Sequence, residues 1–131
     1  MSKMGNVSSV YRCNFETIQE MIKANSRDII LINTLDRNNQ SCLIQGTLSV
    51  GDEIKVIDES LRKRQKKTIY IYGKNYNDET VYKKYEQLSK ISQFECYIYL
   101  GGLFEWLLLQ EIYGCSLFPT NGSEQDLLKY K

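Results

Sequence analysis

Four consecutive aliphatic residues, Ile29-Ile30-Leu31-Ile32, follow Asp28. A strand built from such a run has no polar face, so both of its sides must be covered. A second run, TIYIY over 68–72, is β-branched and aromatic throughout and reads as the clearest strand. Helical patterns stand between these runs. A chain that alternates buried strands with amphipathic helices folds as α/β, with a parallel sheet covered by helices. The expected architecture has three layers: a mostly parallel sheet of about five strands, with helices on both faces.

The remaining elements follow from local signals. An entry strand is expected over 7–12. Asn14 is a candidate N-cap for a helix over 15–23, whose Phe15, Ile18 and Ile22 share a face. Residues 36–41 are polar and loop-like, and a short strand is expected over 42–48, around Gly46. Asp52 or a neighbour opens a second helix, with Ile54, Ile57 and Leu61 on one side. Its far end carries Arg62, Lys63, Arg64, Lys66 and Lys67, cations that complement the helix dipole. Residues 73–77 read as a tight polar loop, followed by Asp78 as the N-cap of a helix with Val81, Tyr85 and Leu88 on its apolar face. A strand over 96–100 ends at Gly101-Gly102, and an apolar helix over 103–113 stops at Gly114. No linker or repeat divides the chain, so one domain is expected over 1–131. Its core spans about 7–118, and the tail over 119–131 adds a last helical turn near its end.

Composition narrows the function classes. Lys and Arg total 17 against 16 Asp and Glu, a balance that argues against a nucleic-acid binder. No apolar run approaches the roughly 20 residues of a membrane span. The start, MSKMGNVSSV, has no signal-peptide core. A soluble, intracellular (cytoplasmic) protein is expected, with a protein partner and no membrane. Histidine is absent, which removes His-based acid–base catalysis and His-liganded metals. Cys13, Cys42, Cys96 and Cys115 form no C-x-x-C pair, so no zinc site, metal or cofactor is expected. Reduced, inert thiols are the default for all four, with a disulfide in a virion as the oxidised alternative. Tyr70, Tyr72, Tyr97 and Tyr99 recur at period two and read as half-buried sheet faces; Trp106 reads as core.

Four stretches, in this order, resemble a single rhodanese-like (sulfurtransferase) domain over roughly residues 29–106. IILINTL over 29–35 looks like the family's buried strand, which usually ends in Asp-x-Arg. LIQGT over 43–47 looks like its H-I-P-G-A segment. TIYIYGKNYNDET over 68–80 stands where the family has a strand, its catalytic loop and a helix start. YLGGLFEW over 99–106 resembles the L-x-G-G-x-x-x-W signature. The Asn-, Ile-, Lys- and Tyr-rich composition is similar to rhodanese-like proteins encoded by large DNA viruses.

The resemblance implies a cysteine directly after the central strand. Its thiolate would be held by loop N–H groups and a helix N-terminus while it carries sulfur as a persulfide. Residue by residue, that cysteine is Gly73 here, and the loop C-x-x-G-x-R-S becomes Gly73-Lys74-Asn75-Tyr76-Asn77-Asp78-Glu79. Upstream, the family's Asp is Asn33, its Arg is Leu35 and its His is Leu43. The expectation is a catalytically inactive module that binds or supports a partner, with 73–79 as a vestigial site and no catalytic residue. One rival is a thiol enzyme using a displaced cysteine, Cys42 first. Another is a small-anion or phosphopeptide binder at the 73–79 loop, with Lys74 as its cation. A third is docking or oligomerisation through exposed aromatics and the basic stretch after Leu61.

Overall fold

The computed structural model describes residues 10–131. Its strands are β1 (Arg12–Cys13), β2 (Ile29–Asn33), β3 (Leu43–Ile44), β4 (Lys67–Tyr72), β5 (Phe94–Tyr99) and β6 (Thr120–Asn121). Its helices are α1 (Phe15–Ala24), α2 (Val50–Arg62), α3 (Thr80–Ser89) and α4 (Gly102–Tyr113), with short 3-10 turns at Arg37–Asn39 and Leu127–Tyr130. The expected α/β class holds. β1, β5, β4 and β2 form a parallel sheet in that order. Thr47 adds a single parallel bridge outside β2, opposite Leu31.

Strand alternation sorts the core into two layers. Leu31, Tyr72 and Tyr99 face Ile18 of α1 and Leu103, Trp106 and Leu107 of α4. Ile30, Ile32, Ile69, Ile71 and Ile98 face Val81, Tyr85 and Leu88 of α3, with Val56 and Ile57 of α2 packed alongside. The period-two tyrosines divide by depth: Tyr72 and Tyr99 are buried, whereas Tyr70 and Tyr97 are half-exposed and stack at 5.5 Å. Asn14 caps α1 as its spacing predicts, accepting from the Glu16 and Thr17 amides. Gly114, at φ 98°, ends α4.

Four expectations need correction. The entry strand is Arg12–Cys13; residues 7–9 lie outside the described residues. The strand expected over 42–48 shortens to Leu43–Ile44, because the chain turns at Gly46, whose φ is 93°. It pairs antiparallel with β6 instead of joining the main sheet.

The third correction concerns α2. Its cap is Ser49, whose hydroxyl accepts from the Asp52 amide. It does not bury Ile54 and Leu61, which are exposed, but Glu53 and Ser60. Glu53 tolerates this position because Lys84 of α3 reaches it at 2.8 Å, and a buried carboxylate needs such a partner. Ser60 returns its hydroxyl to the Val56 carbonyl at 2.8 Å.

The fourth is the tail, which is structural. Phe118 stacks edge-on against Trp106 at 5.0 Å, and the Trp106 indole donates to the Pro119 carbonyl at 3.1 Å. Tyr130 is fully buried in the same layer as Trp106 and Cys42.

Candidate functional site

The strands of a parallel sheet all point one way, so the loops after their carboxyl ends gather at one edge, where α/β folds place ligands. Here Thr34 after β2, the 73–79 loop after β4 and Gly101-Gly102 after β5 meet at that edge. Thr34 is fixed by its amide, which donates to the Tyr72 carbonyl at 3.0 Å.

Gly73 is buried. A side chain there would run into the Asp78 carboxylate, with its Cγ at 2.9 Å, and into the Thr34 hydroxyl at 2.9 Å. The volume where a nucleophile's side chain would begin is thus already occupied. The carboxylate is held there from two sides. Oδ2 accepts from the Lys74 amide at 2.8 Å, and Oδ1 accepts from the Thr80 amide at 3.0 Å and the Thr80 hydroxyl at 2.6 Å. A carboxylate can only accept and a hydroxyl has one proton. The Thr80 proton therefore goes to Asp78, and the Thr34 hydroxyl, 2.7 Å from Thr80 Oγ1, donates in turn. The N-cap of α3 is Glu79, not Asp78 as expected; Asp78 stands one residue before it and still accepts from the first amide of the helix, at Thr80.

The rest of the loop is closed on itself. The Asn77 amide donates to Asn75 Oδ1 and the Asp78 amide to the Asn75 carbonyl. The carbonyls of Gly73 and Lys74 accept from the Leu103 and Phe104 amides at 2.9 Å each, so the loop supplies the acceptors that the first turn of α4 lacks. This interlock requires Gly102. Its φ is 71°, and a Cβ there would meet the Gly73 carbonyl oxygen at 2.8 Å and the Asn75 amide nitrogen at 2.9 Å. Glycine alone fits a left-handed residue pressed against backbone. Asn75 also donates its side-chain amide to the Tyr130 carbonyl at 2.8 Å, which draws the C-terminal turn over the loop.

Tyr76 does not cover the loop; it is 67% exposed. Glu79 is exposed and makes no capping bond with its side chain. Lys74, the cation of the anion-binding alternative, is half-buried. The upstream positions are equally structural. The Asn33 and Gln40 side-chain amides bond each other in both directions, at 3.1 and 2.8 Å, and Gln40 also ties down the Leu35 and Asp36 carbonyls. Leu43 is buried and Leu35 packs against the core.

Sequence reasoning missed Thr34, Thr80 and the reach of Asn75. Thr80 was legible as an Asx pattern, two residues after Asp78. Thr34 was legible as the residue that follows the β2 run at the carboxyl edge.

The thiols lie elsewhere. Cys42 is fully buried. Burial, first, and the Glu124 carboxylate push its thiol up from the ordinary value, against a hydrogen bond from Thr120 and the Lys129 charge, which lower it. Burial pushes Cys13 up to about 12, although it stands at a helix start. Cys96, in β5, is pushed up to about 11, by burial and then by Glu95. Cys115 is exposed, so it is not a buried thiol. All four are free. Among the described residues no cluster of His, Cys, Asp or Glu is placed to hold a metal ion, and no helix is long and apolar enough to cross a membrane. A depression of about 530 Å³, lined by Arg12, Cys13, Asn14, Thr17, Tyr70 and Tyr97, does not touch the 73–79 loop.

No family model and no curated protein matches the chain. Solved structures do. The BH2092 protein from Bacillus halodurans is similar at 21% identity and a TM-score of 0.63, covering 91% of this chain and 80% of that one. The Alr3790 protein from Anabaena sp. is similar at 18% identity and a TM-score of 0.59, covering 90% and 98%. A full-length protein from Lactobacillus plantarum follows at 16% identity and a TM-score of 0.57, covering 82% and 88%. At these identities the likeness establishes the three-layer α/β fold alone.

Proposed function

We propose that this chain is a rhodanese-like domain that has lost sulfur transfer and works as a binding or structural module for a protein partner. The observation that carries the reading is the Asp78 carboxylate. It stands where a side chain at Gly73 would go and takes the Lys74 and Thr80 amides for itself. In the working family those donors hold a sulfur anion; here the protein supplies its own anion, covalently attached. A donor such as thiosulfate would meet a filled and negatively charged cradle. The same occupancy weighs against the reading of 73–79 as a small-anion or phosphopeptide site, since an anion would have to displace Asp78. The rival nucleophile Cys42 is sealed in the core with its thiol pushed up, the reverse of what thiolate chemistry needs. The composition shared with virus-encoded rhodanese-like proteins is consistent with a cytoplasmic or virion setting.

The test is a thiosulfate:cyanide sulfurtransferase assay with mass spectrometry for a persulfide, on wild type, Gly73→Cys and Gly73→Cys/Asp78→Ser. Wild type is expected to be inactive and free of added sulfur. Gly73→Cys alone is expected to stay poor, because Asp78 blocks it, and the double variant to accept sulfur more readily. Turnover by wild type, with sulfur mapped to Cys42 or another thiol, overturns the reading.

A further inference from the structure

After β6 the chain turns at Gly122, whose φ is 83°, and residues 123–131 come back to the 73–79 loop. Gly122 itself lies tight against the chain before β3, where a Cβ would strike the Ser41 carbonyl oxygen. Beyond it the bonds are almost all internal. Lys129 Nζ meets Glu124 Oε1 at 3.0 Å, and the Asp126 amide donates to Glu124 Oε2 at 3.3 Å. The Lys129 and Lys131 amides donate to the Asp126 and Leu128 carbonyls at 3.2 Å each. Among the described residues a single hydrogen bond ties 123–131 to the rest of the molecule, from Asn75 Nδ2 to the Tyr130 carbonyl at 2.8 Å. Of its side chains only Tyr130 is buried; Leu127 packs half-buried against the same layer, and Leu128 is exposed. The Tyr130 ring is fully enclosed, yet among the described residues its hydroxyl has no hydrogen-bond partner.

We propose that residues 123–131 are a hinged strap, latched by the Tyr130 ring, which swings out about Gly122 as one unit and uncovers the 73–79 loop while the sheet stays folded. Its ion pair and turns are its own and survive the swing. Opening therefore gives up one hydrogen bond and the burial of Tyr130 and Leu127, a small part of what holds the fold. The unpartnered hydroxyl favours the open form, because water bonds it there and nothing does inside. β6 and Gly122 stay behind on β3 and Ser41, so Cys42 remains covered when the strap leaves. Closed, the strap lies on the Asn75 side of the loop, and a partner that reaches for this edge meets it first. The contact is thus autoinhibitory. The inference stands on the bonds of the strap and does not depend on the loss of sulfur transfer at Gly73.

Trimming of the full chain by carboxypeptidases tests it, with circular dichroism to confirm that each variant folds. Carboxypeptidase B removes Lys131; carboxypeptidase A then releases residue 130 only when its ring has left the layer. Intact mass follows the loss, and each rate is taken relative to a free peptide of residues 123–130. In wild type the release is expected to depend little on urea up to about 1 M, whereas labelling of the buried Cys96 climbs steeply, because the strap exposes little surface and global unfolding exposes much. Tyr130→Phe keeps the ring and drops the hydroxyl, and is expected to slow the release at least about fivefold. Asn75→Asp keeps the acceptor for the Asn77 amide but loses the donor to Tyr130, and is expected to speed it at least about threefold. Release that rises with urea in step with Cys96 labelling overturns the proposal. So does faster release from Tyr130→Phe, or release indifferent to Asn75→Asp.

Discussion

Asp78→Ala removes the carboxylate from the loop and reports whether it is the internal plug that the geometry describes. Three hydrogen bonds are lost, from the Lys74 amide, the Thr80 amide and the Thr80 hydroxyl. Losing a side-chain cap costs about 1 kcal/mol. A bond to a charged acceptor contributes about 1.5–3 kcal/mol, with the lower end apt where water can replace it. The site is half-buried, so a loss of about 2 kcal/mol is expected, read from urea unfolding followed by Trp106 fluorescence. Asp78→Asn keeps one acceptor and should lose about half as much. The sharper readout is coupling to Gly73. In wild type, Gly73→Ala forces a methyl group against Asp78 and Thr34, an overpacking cost of about 1–3 kcal/mol. The Asp78 carboxyl group cannot swing aside freely, because those three bonds hold it. In an Asp78→Ala background only the Thr34 hydroxyl remains in the way, and the Gly73→Ala cost should fall by about 1 kcal/mol or more. A loss below about 0.5 kcal/mol for Asp78→Ala, the range of an ordinary surface change, would refute the reasoning, as would strictly additive effects of the two substitutions.

Other outcomes follow from the same structure. Gly102→Ala, strained at φ 71° and pressed on the Gly73 and Asn75 backbone, should cost about 3 kcal/mol in urea unfolding. Lys84→Met strands the buried Glu53 carboxylate and should destabilise by about 1–3 kcal/mol, while Glu53→Gln/Lys84→Met should recover part of that loss. Under native conditions a thiol reagent should modify Cys115 first and leave Cys42 and Cys96 protected until unfolding, as peptide mass mapping would show. Stability should fall as pH rises past the unfolded tyrosine value of about 10. Tyr72 and Tyr99 are both pushed up by burial, Tyr99 also by the Glu105 carboxylate that its hydroxyl meets at 2.5 Å. Above that pH the unfolded chain sheds protons that the folded chain keeps, so the slope is negative. Tyr99→Phe should flatten it.

Much of the fold was legible because local pattern and tertiary demand agree at these residues. The runs 29–32 and 68–72 read as strands from composition and lie in β2 and β4; β4 is inside the sheet, and β2 is its end strand, with the single Thr47 bridge beyond it. Val81, Tyr85 and Leu88 read as one face and are buried together. Where long-range partners decide, the reading failed. Ile54 and Leu61 share a line with Ile57, yet the core takes Glu53, because Lys84 on another helix neutralises it. Residues 119–131 read as a tail beyond the core, yet Tyr130 joins Phe118 in the layer around Trp106. For the site, the loss of a nucleophile at Gly73 and the capping role of Asp78 were both readable. That the two belong to one event, with the cap filling the place of the nucleophile, depends on how a loop curls in space.

The pairing of β1 bears on how the chain reaches this fold. Arg12 and Cys13 join the sheet only through Ile98 and Tyr99 of β5, from the far side of the sequence. β2 and β4, and β4 and β5, are nearer neighbours along the chain and bury the isoleucine layer together. The closure entropy of the longest loop is met only when β1 docks, so the sheet would assemble from its middle outward, with the first strand last. Parallel pairings of such separation make for slow folding. Until β1 arrives, β5 has an open edge and the Tyr70–Tyr97 face has no α1 beside it. That interval is when a half-made molecule is most exposed to pairing with another of its kind.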